Sequence, residues 1–356
     1  MTLSVRFRGM LPLLLALLLT AVGVRTYLQS PSPVPSLPAA SPTTVYIQPK
    51  TGVQEIARTL REAGVIQNTW ALLALAYVQG SLKRLQSGEY EFSSSMSLRE
   101  ILRKLEAGRV VTHQMTIPEG FTAQEIAKLL ASERLVDSDR FGALVRDPAF
   151  AARVGVEAGG LEGYLFPDTY RLTRGMGEEE ILRIMAGRFQ QAIPRDFLQE
   201  AARRGMSPHA VVTLASLIEK EVRLDSERAL VSAVFHNRLR QRMPLQSDPT
   251  AVYMVPRKQR RITVEDLQRK TPYNTYLVPG LPPGPIANPG LASLEAALHP
   301  APVNFLYFVA KNDGSHFFSR TLAQHQRAVR LYQGGDRGRE SGRGPSPMRP
   351  RAAAAG

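Results

Sequence analysis

A short stretch, Ala215-Ser-Leu-Ile-Glu-Lys-Glu-Val222, sets two carboxylates inside a helical apolar pattern. About sixty residues of polar, proline- and glycine-studded text follow it, and loops of that length without secondary structure of their own are functional far more often than structural. They include Leu245-Gln-Ser-Asp-Pro-Thr250, Thr271-Pro-Tyr-Asn-Thr-Tyr276 and Gly280-Leu-Pro-Pro-Gly-Pro-Ile-Ala-Asn-Pro-Gly290. Any fold for this chain must hold that text still against the glutamate-bearing helix.

Ser207 followed by Pro208 predicts the start of that helix, an N-cap serine with proline in the first turn. Val211, Leu214, Ala215, Ile218 and Val222 recur at helical spacing and define its buried stripe. Lys220 then falls opposite the stripe, with Glu219 on one flank and Glu221 on the other. A partly desolvated carboxyl has a raised pKa, as a general acid near neutral pH requires. The helix alone allows a plainer reading, in which Glu219 is a boundary residue paired with Arg223 at i+4.

The chain has 356 residues, enough for two modest domains, and no cysteine, so thiol chemistry, disulfides and cysteine-ligated metals are excluded. Its six histidines form neither a helical i, i+4 pair nor a His-Glu-x-x-His motif. There is no Gly-x-Ser-x-Gly elbow and no phosphate-binding Gly-x-x-x-x-Gly-Lys loop. No cofactor or metal is expected. The formal net charge is +14, which suits an anionic membrane or an acidic polymer. No nucleic-acid-binding pattern is present, so nucleic acid is not an expected partner.

Arg6 and Arg8 precede an uncharged, leucine-rich run from Gly9 to Val24 that Arg25 ends. The flanks favour a cytoplasmic N-terminus and an uncleaved membrane anchor; a cleaved signal peptide ending near Ala21-Val22-Gly23 is the competitor. We expect a cytoplasmic stub and transmembrane anchor over 1–28. Residues 29–43, with five prolines and four serines, form a tether. A small α/β module over 44–112 starts with strand Val45-Tyr-Ile47, continues through two helices and strand Ser87–Phe92, and ends in a helix capped by Ser97. A larger domain over 113–332 opens with a strand at 110–118 and a helix capped by Thr122 with Glu125. In Leu161-Glu-Gly-Tyr-Leu-Phe-Pro-Asp-Thr-Tyr170, three aromatics beside Glu162 and Asp168 fit either a binding surface or a buried strand. The arginine-rich end, 333–356, has the composition of a disordered tail. The fold class is α+β.

The motifs in combination are more specific than any one alone. The glutamate helix at 215–222, Phe235-His-Asn-Arg-Leu239, the three loop motifs above, His299-Pro300, Leu306-Tyr-Phe-Val-Ala310 and Gly314-Ser-His-Phe-Phe-Ser319 occur in order. From the anchor to about Leu331, the chain resembles the YceG-like (MltG) family of endolytic murein lytic transglycosylases. The resemblance implies that Glu219 is the catalytic acid and base, that the small module is LysM-like, and that the protein is a single-pass protein of the bacterial cell membrane with its catalytic domain extracytoplasmic. It implies cleavage of nascent peptidoglycan strands between N-acetylmuramic acid and N-acetylglucosamine, leaving 1,6-anhydro ends and limiting strand length, in partnership with peptidoglycan synthases. Gln246, Asp248, Thr250, Tyr273, Asn274, Tyr276 and Asn288 are the candidates for binding the glycan. Val222 stands where a threonine is frequent after the Glu-Lys-Glu triplet of the family pattern, and Asn288 stands in a loop position that varies between members. The rivals are a hydrolytic muramidase or glucosaminidase, with Asp248 or Glu162 as a second carboxylate, and a non-catalytic peptidoglycan-binding scaffold.

Overall fold

A computed structural model describes residues 42–255 and 262–334, with Gly23 and Thr26 alone before them. The expected anchor, most of the tether and the basic tail therefore lie outside the described residues. Among the described residues, no helix is long and apolar enough to cross a membrane. The chain divides into two units: Met1–Ile117 with Ile126–Leu144 and Asp168–Arg183, and Pro118–Glu125 with Val145–Pro167 and Ile184–Gly356.

In the first unit, β1 (Thr43–Ile47) pairs antiparallel with β2 (Gly88–Phe92), setting Val45 opposite Tyr90. Between them run α1 (Val53–Glu62) and α2 (Thr69–Val78), and α3 (Leu98–Glu106) follows. Alternation in the strands and helical spacing in α1 and α3 converge on one core of Ile47, Ile56, Leu60, Leu72, Tyr90, Phe92, Ile101 and Leu105. Asn68 accepts a bond from the Trp70 N–H to start α2, and Ser97 with Glu100 forms a reciprocal capping box on α3. Farther on, β3 (His113–Thr116) pairs antiparallel with β4 (Thr169–Leu172). The aromatics Tyr164, Phe166 and Tyr170 are all buried, but the segment 161–168 is loop and only Thr169 onward is strand, so the burial is found and the expected strand only at its end.

Between β3 and β4 lie α4 (Ala123–Ser132), α5 (Ser138–Val145) and α6 (Pro148–Arg153), and α7 (Glu178–Ala192) follows β4. Residues 184 onward belong to the second unit, where α8 (Phe197–Arg203) and α9 (Pro208–Glu221) lead through a 3-10 turn at Asp225–Glu227 into α10 (Arg228–Arg240). Short helices α11 (Asp248–Val252) and α12 (Val264–Gln268) punctuate the loops before α13 (Leu291–Leu298), and β5 (Tyr307–Ala310), β6 (His316–Ser319) and α14 (Leu322–Gln333) end the unit. β5 and β6 pair antiparallel under α14.

The centre of this unit is α9. The predicted single stripe understates it: all eight residues from Val211 to Ile218 are buried, because α8, α10, α11 and α13 pack around it. Its polar residues are satisfied internally. The Thr213 hydroxyl donates to the His209 carbonyl at 2.8 Å, and Ser216 donates to the Thr213 carbonyl at 2.7 Å while accepting the Ile286 N–H at 3.0 Å. The last bond ties the proline-rich loop directly to the helix. Gly163 has φ +88, and a Cβ there would sit 2.5 Å from Pro285, so only glycine lets segment 161–167 lie against that loop.

On α10, Arg228, Ser232 and His236 stand four residues apart and so share one face. Each bonds to α13: Arg228 to the Ser293 hydroxyl, Ser232 to the Ala296 carbonyl at 2.6 Å, His236 to the Ala297 carbonyl at 2.8 Å. Asn237 donates to the carbonyls of Val303 and Phe305, and Arg238 to those of Leu306, Pro244 and Leu245 and to Gln246 Oε1. The motif Phe235-His-Asn-Arg-Leu239 is thus a set of keys fixing α13 and two loops, 244–246 and 303–306. Arg238→Met leaves those buried carbonyls without a donor, and should lower stability by about 3 kcal/mol in chemical denaturation while making the 244–255 segment more protease-sensitive.

Candidate active site

Glu219 lies near the C-terminal end of α9, and its side chain is only 6% exposed. Oε2 accepts from Arg228 Nη1 at 3.2 Å and from the Gly290 N–H at 3.0 Å. Among the described residues no hydrogen bond engages Oε1, which leaves that oxygen available to a substrate. The cation beside Glu219 is therefore Arg228, brought back by the turn at 225–227, and not the neighbouring Arg223. The same guanidinium meets Asp225 at 3.0 Å and Glu119 at 3.7 Å. Burial, then the charge of Glu219, push the Glu119 carboxyl above its ordinary value, against the pull of Arg228. A Cβ at Gly290 would meet the Glu119 carboxylate, which would have to swing aside.

Asn288 holds this arrangement from behind. Fully buried, it accepts the N–H groups of Gly163 and Leu165 at 2.9 Å each, and donates to the Phe121 carbonyl at 2.9 Å and Glu162 Oε1 at 3.0 Å. Its backbone pairs with 120–121 in both directions. The segments 120–121 and 288–290 thus close over Glu219 as one piece. Glu162 also accepts from the Ala123 N–H and the Tyr253 hydroxyl, each at 3.0 Å. Burial pushes its carboxyl up to about 7, opposed by the Ala123 and Tyr253 bonds. The Tyr253 ring lies 4.7 Å from Tyr273.

Glu221 sits apart from this cluster. Its Oε1 accepts from the Ser247 hydroxyl at 2.6 Å. Burial, with the charge of Asp248, pushes its carboxyl up to about 7 against that bond. Asp248 is exposed and accepts the Tyr276 hydroxyl; burial first, then Asp248, raise the Tyr276 pKa. Gln246 is exposed, with φ +53 at a non-glycine residue, and its N–H donates to the Thr275 carbonyl at 3.1 Å. Tyr273 is half-buried.

The remaining two candidates face inward. Thr250 is fully buried and shares its hydroxyl among the Ser247 carbonyl at 2.6 Å, the Thr275 hydroxyl at 2.8 Å and the Thr275 N–H at 3.1 Å. Asn274 is fully buried too, donating to the carbonyls of Leu267 and Arg269 and accepting the Tyr276 N–H. Together with Asn288 these residues shape the loops, and their polar atoms are engaged by protein groups. Gln246, Asp248, Tyr273 and Tyr276 are the candidates that retain accessible surface.

Residues 45–331 match the YceG-like family. The chain belongs to that family. It is similar to a protein of Bacillus subtilis (strain 168) named endolytic murein transglycosylase, 34% identical over 310 residues, covering 82% of this chain and 86% of the relative. A protein of the same name from Streptococcus pneumoniae serotype 2 is 30% identical over 319 residues, of which this chain spans 57% of the length. Among solved structures, a yceG-like protein of Listeria monocytogenes superposes with a TM-score of 0.56 at 32% identity, covering 81% of this chain and 98% of that one.

Arg228, Glu119, Gly290 and Tyr253 were not among the sequence candidates. Arg228 stands nine residues from Glu219, beyond any helical pairing distance, and Glu119 stands a hundred away; only the turn and the 120–288 pairing bring them in. Two predictions follow from these geometries. Arg228→Leu leaves Glu219 buried without its cation and should destabilise the protein by about 3 kcal/mol, measured by urea unfolding. The second concerns pH. A carboxyl whose folded pKa is raised contributes stability that is present below its unfolded value and lost as pH rises through the folded one. With Glu162 and Glu221 both moved from 4.5 to about 7, the unfolding midpoint should fall over that interval, and Glu221→Gln should make the fall shallower by removing one of the two contributions.

Proposed function

We infer that this chain is an endolytic murein transglycosylase, cutting peptidoglycan glycan strands with Glu219 as its acid and base. The observation that carries the reading is the Glu219 carboxylate, held through Oε2 by Arg228 and the Gly290 N–H with Oε1 open. Family membership and the names of the relatives support it.

In this reading the protonated carboxyl of Glu219 gives its proton to the glycosidic oxygen between N-acetylmuramic acid and N-acetylglucosamine, and the C–O bond breaks. The carboxylate that results is matched by the guanidinium and the N–H already aimed at it, which need no reorganisation as charge develops. The substrate's own acetamido group supports the electron-poor anomeric carbon. Glu219 then removes the proton of the muramyl 6-hydroxyl, whose oxygen closes on that carbon to give a 1,6-anhydro ring. One carboxyl suffices because the nucleophile belongs to the substrate, and intramolecular attack has a very high effective concentration. Gln246, Asp248, Tyr273 and Tyr276 would meet the sugars.

The β1–α1–α2–β2 order of the small module supports a LysM-like role for it. The leucine-rich N-terminal run supports a single-pass anchor in the bacterial cell membrane with the rest extracytoplasmic, close to nascent strands and to the synthases that make them. Incubating the protein with uncrosslinked glycan strands and analysing products by mass spectrometry tests the reaction. Anhydro-muramyl ends are expected, with the rate reduced about a thousandfold or more in Glu219→Gln. Reducing ends carrying added water would assign a hydrolase instead, and an active Glu219→Gln would move the acid elsewhere.

A further inference from the structure

Helix α2, Thr69–Val78, carries no charged residue. A helix that is apolar on all sides belongs in a protein interior or in lipid. One side of α2 does pack inward through Leu72, Leu75 and Ala76. The other side is bare: Trp70 is 76% exposed, Tyr77 75% and Val78 81%. At about 100° per residue these three, with exposed Ala74 among them, fall within an arc of about 100°. Leu82 is exposed in the turn beyond the helix, and Lys83 and Arg84 follow it, both exposed, with Arg84 also 3.9 Å from the Glu106 carboxylate.

We propose that this face of α2 rests in the interfacial layer of an anionic lipid bilayer, with Trp70, Tyr77 and Val78 among the acyl chains and Lys83 and Arg84 on the headgroups. Tryptophan and tyrosine combine an apolar ring with one polar atom, which suits the boundary between hydrocarbon and water. Basic residues close after the apolar helix in the chain complement anionic lipid. A saccharide fits less well. The surface is a convex helix face whose exposed polar side-chain groups are the Trp70 indole N–H and the Tyr77 hydroxyl, too few to order sugar hydroxyls. The Asn68 side chain at its start is engaged as the N-cap. The chain also keeps the face near lipid: between the apolar run ending at Val24 and β1, residues 25–42 reach at most about 60 Å fully extended. Tethering at that range makes even a weak surface contact effective. This step rests on the N-terminal run being a membrane anchor.

Trp70 is the single tryptophan of the chain, so tryptophan emission reports this face alone. The full-length protein is reconstituted into vesicles of phosphatidylcholine and phosphatidylglycerol, recovered by flotation, and compared in vesicles whose acyl chains carry bromine. The expected result is blue-shifted emission quenched about twofold or more, as for a side chain seated ~5–10 Å into the interface. Tyr77→Ser with Val78→Ser, both on the exposed surface, should abolish the quenching without changing glycan cleavage or the circular dichroism spectrum. Protein that floats with the vesicles but emits unquenched, as from water, overturns the lipid contact and leaves the anchor standing. Protein that fails to float overturns both. An emission change that needs added glycan strands assigns the face to saccharide, and one that depends on protein density in phosphatidylcholine vesicles assigns it to a second copy; either overturns the proposal.

Discussion

The Arg228 guanidinium is the point on which the second unit closes. It meets carboxylates from three separate segments, Glu119, Glu219 and Asp225, and the Ser293 hydroxyl on α13. A cation taken out of water in this way is tolerable only with near-complete compensation, so the four segments must arrive together. That requirement fixes the 3-10 turn after α9, the face α10 turns toward α13, and the approach of the 118–121 segment. The same compensation places a charge and a backbone donor against one oxygen of the residue proposed to do the chemistry.

Behind the guanidinium, the long loops are held by buried polar side chains acting as backbone partners. Asn288 satisfies groups of Gly163, Leu165 and Phe121; Asn274 those of Leu267, Arg269 and Tyr276; Thr250 those of Ser247 and Thr275. Proline-rich loops cannot pair with one another as strands do, and a buried backbone group left unpaired is costly. Asparagine and threonine side chains supply the missing partners without adding secondary structure. This accounts for the polar text that follows α9 in the chain: part of it contacts solvent and part is internal scaffolding, and composition does not distinguish the two.

Much of the local structure was legible in the sequence. The caps at Ser97, Thr122 and Ser207 start helices where predicted, because a cap is a contact between residues two or three apart. The strands at 45–47 and 87–92 and the α+β class were legible from periodicity. The burial of α9 on all sides was not, because Thr213 and Ser216 read as polar until their hydroxyls are seen bonded to the backbone. For the aromatics of 161–170, burial was one of two open alternatives, decided by what packs over them.

By itself the sequence determined the helix bearing Glu219 and Glu221, the capped elements around it, and the segments able to surround it, since each depends on residues close together in the chain. Tertiary structure decided which carboxylate receives a cation and a backbone donor, and which receives a serine hydroxyl. It also decided which loop amides face water and which are locked inside. Those choices depend on contacts between residues as far apart as Glu119 and Arg228, or Glu162 and Asn288, whose distance in space no local pattern encodes.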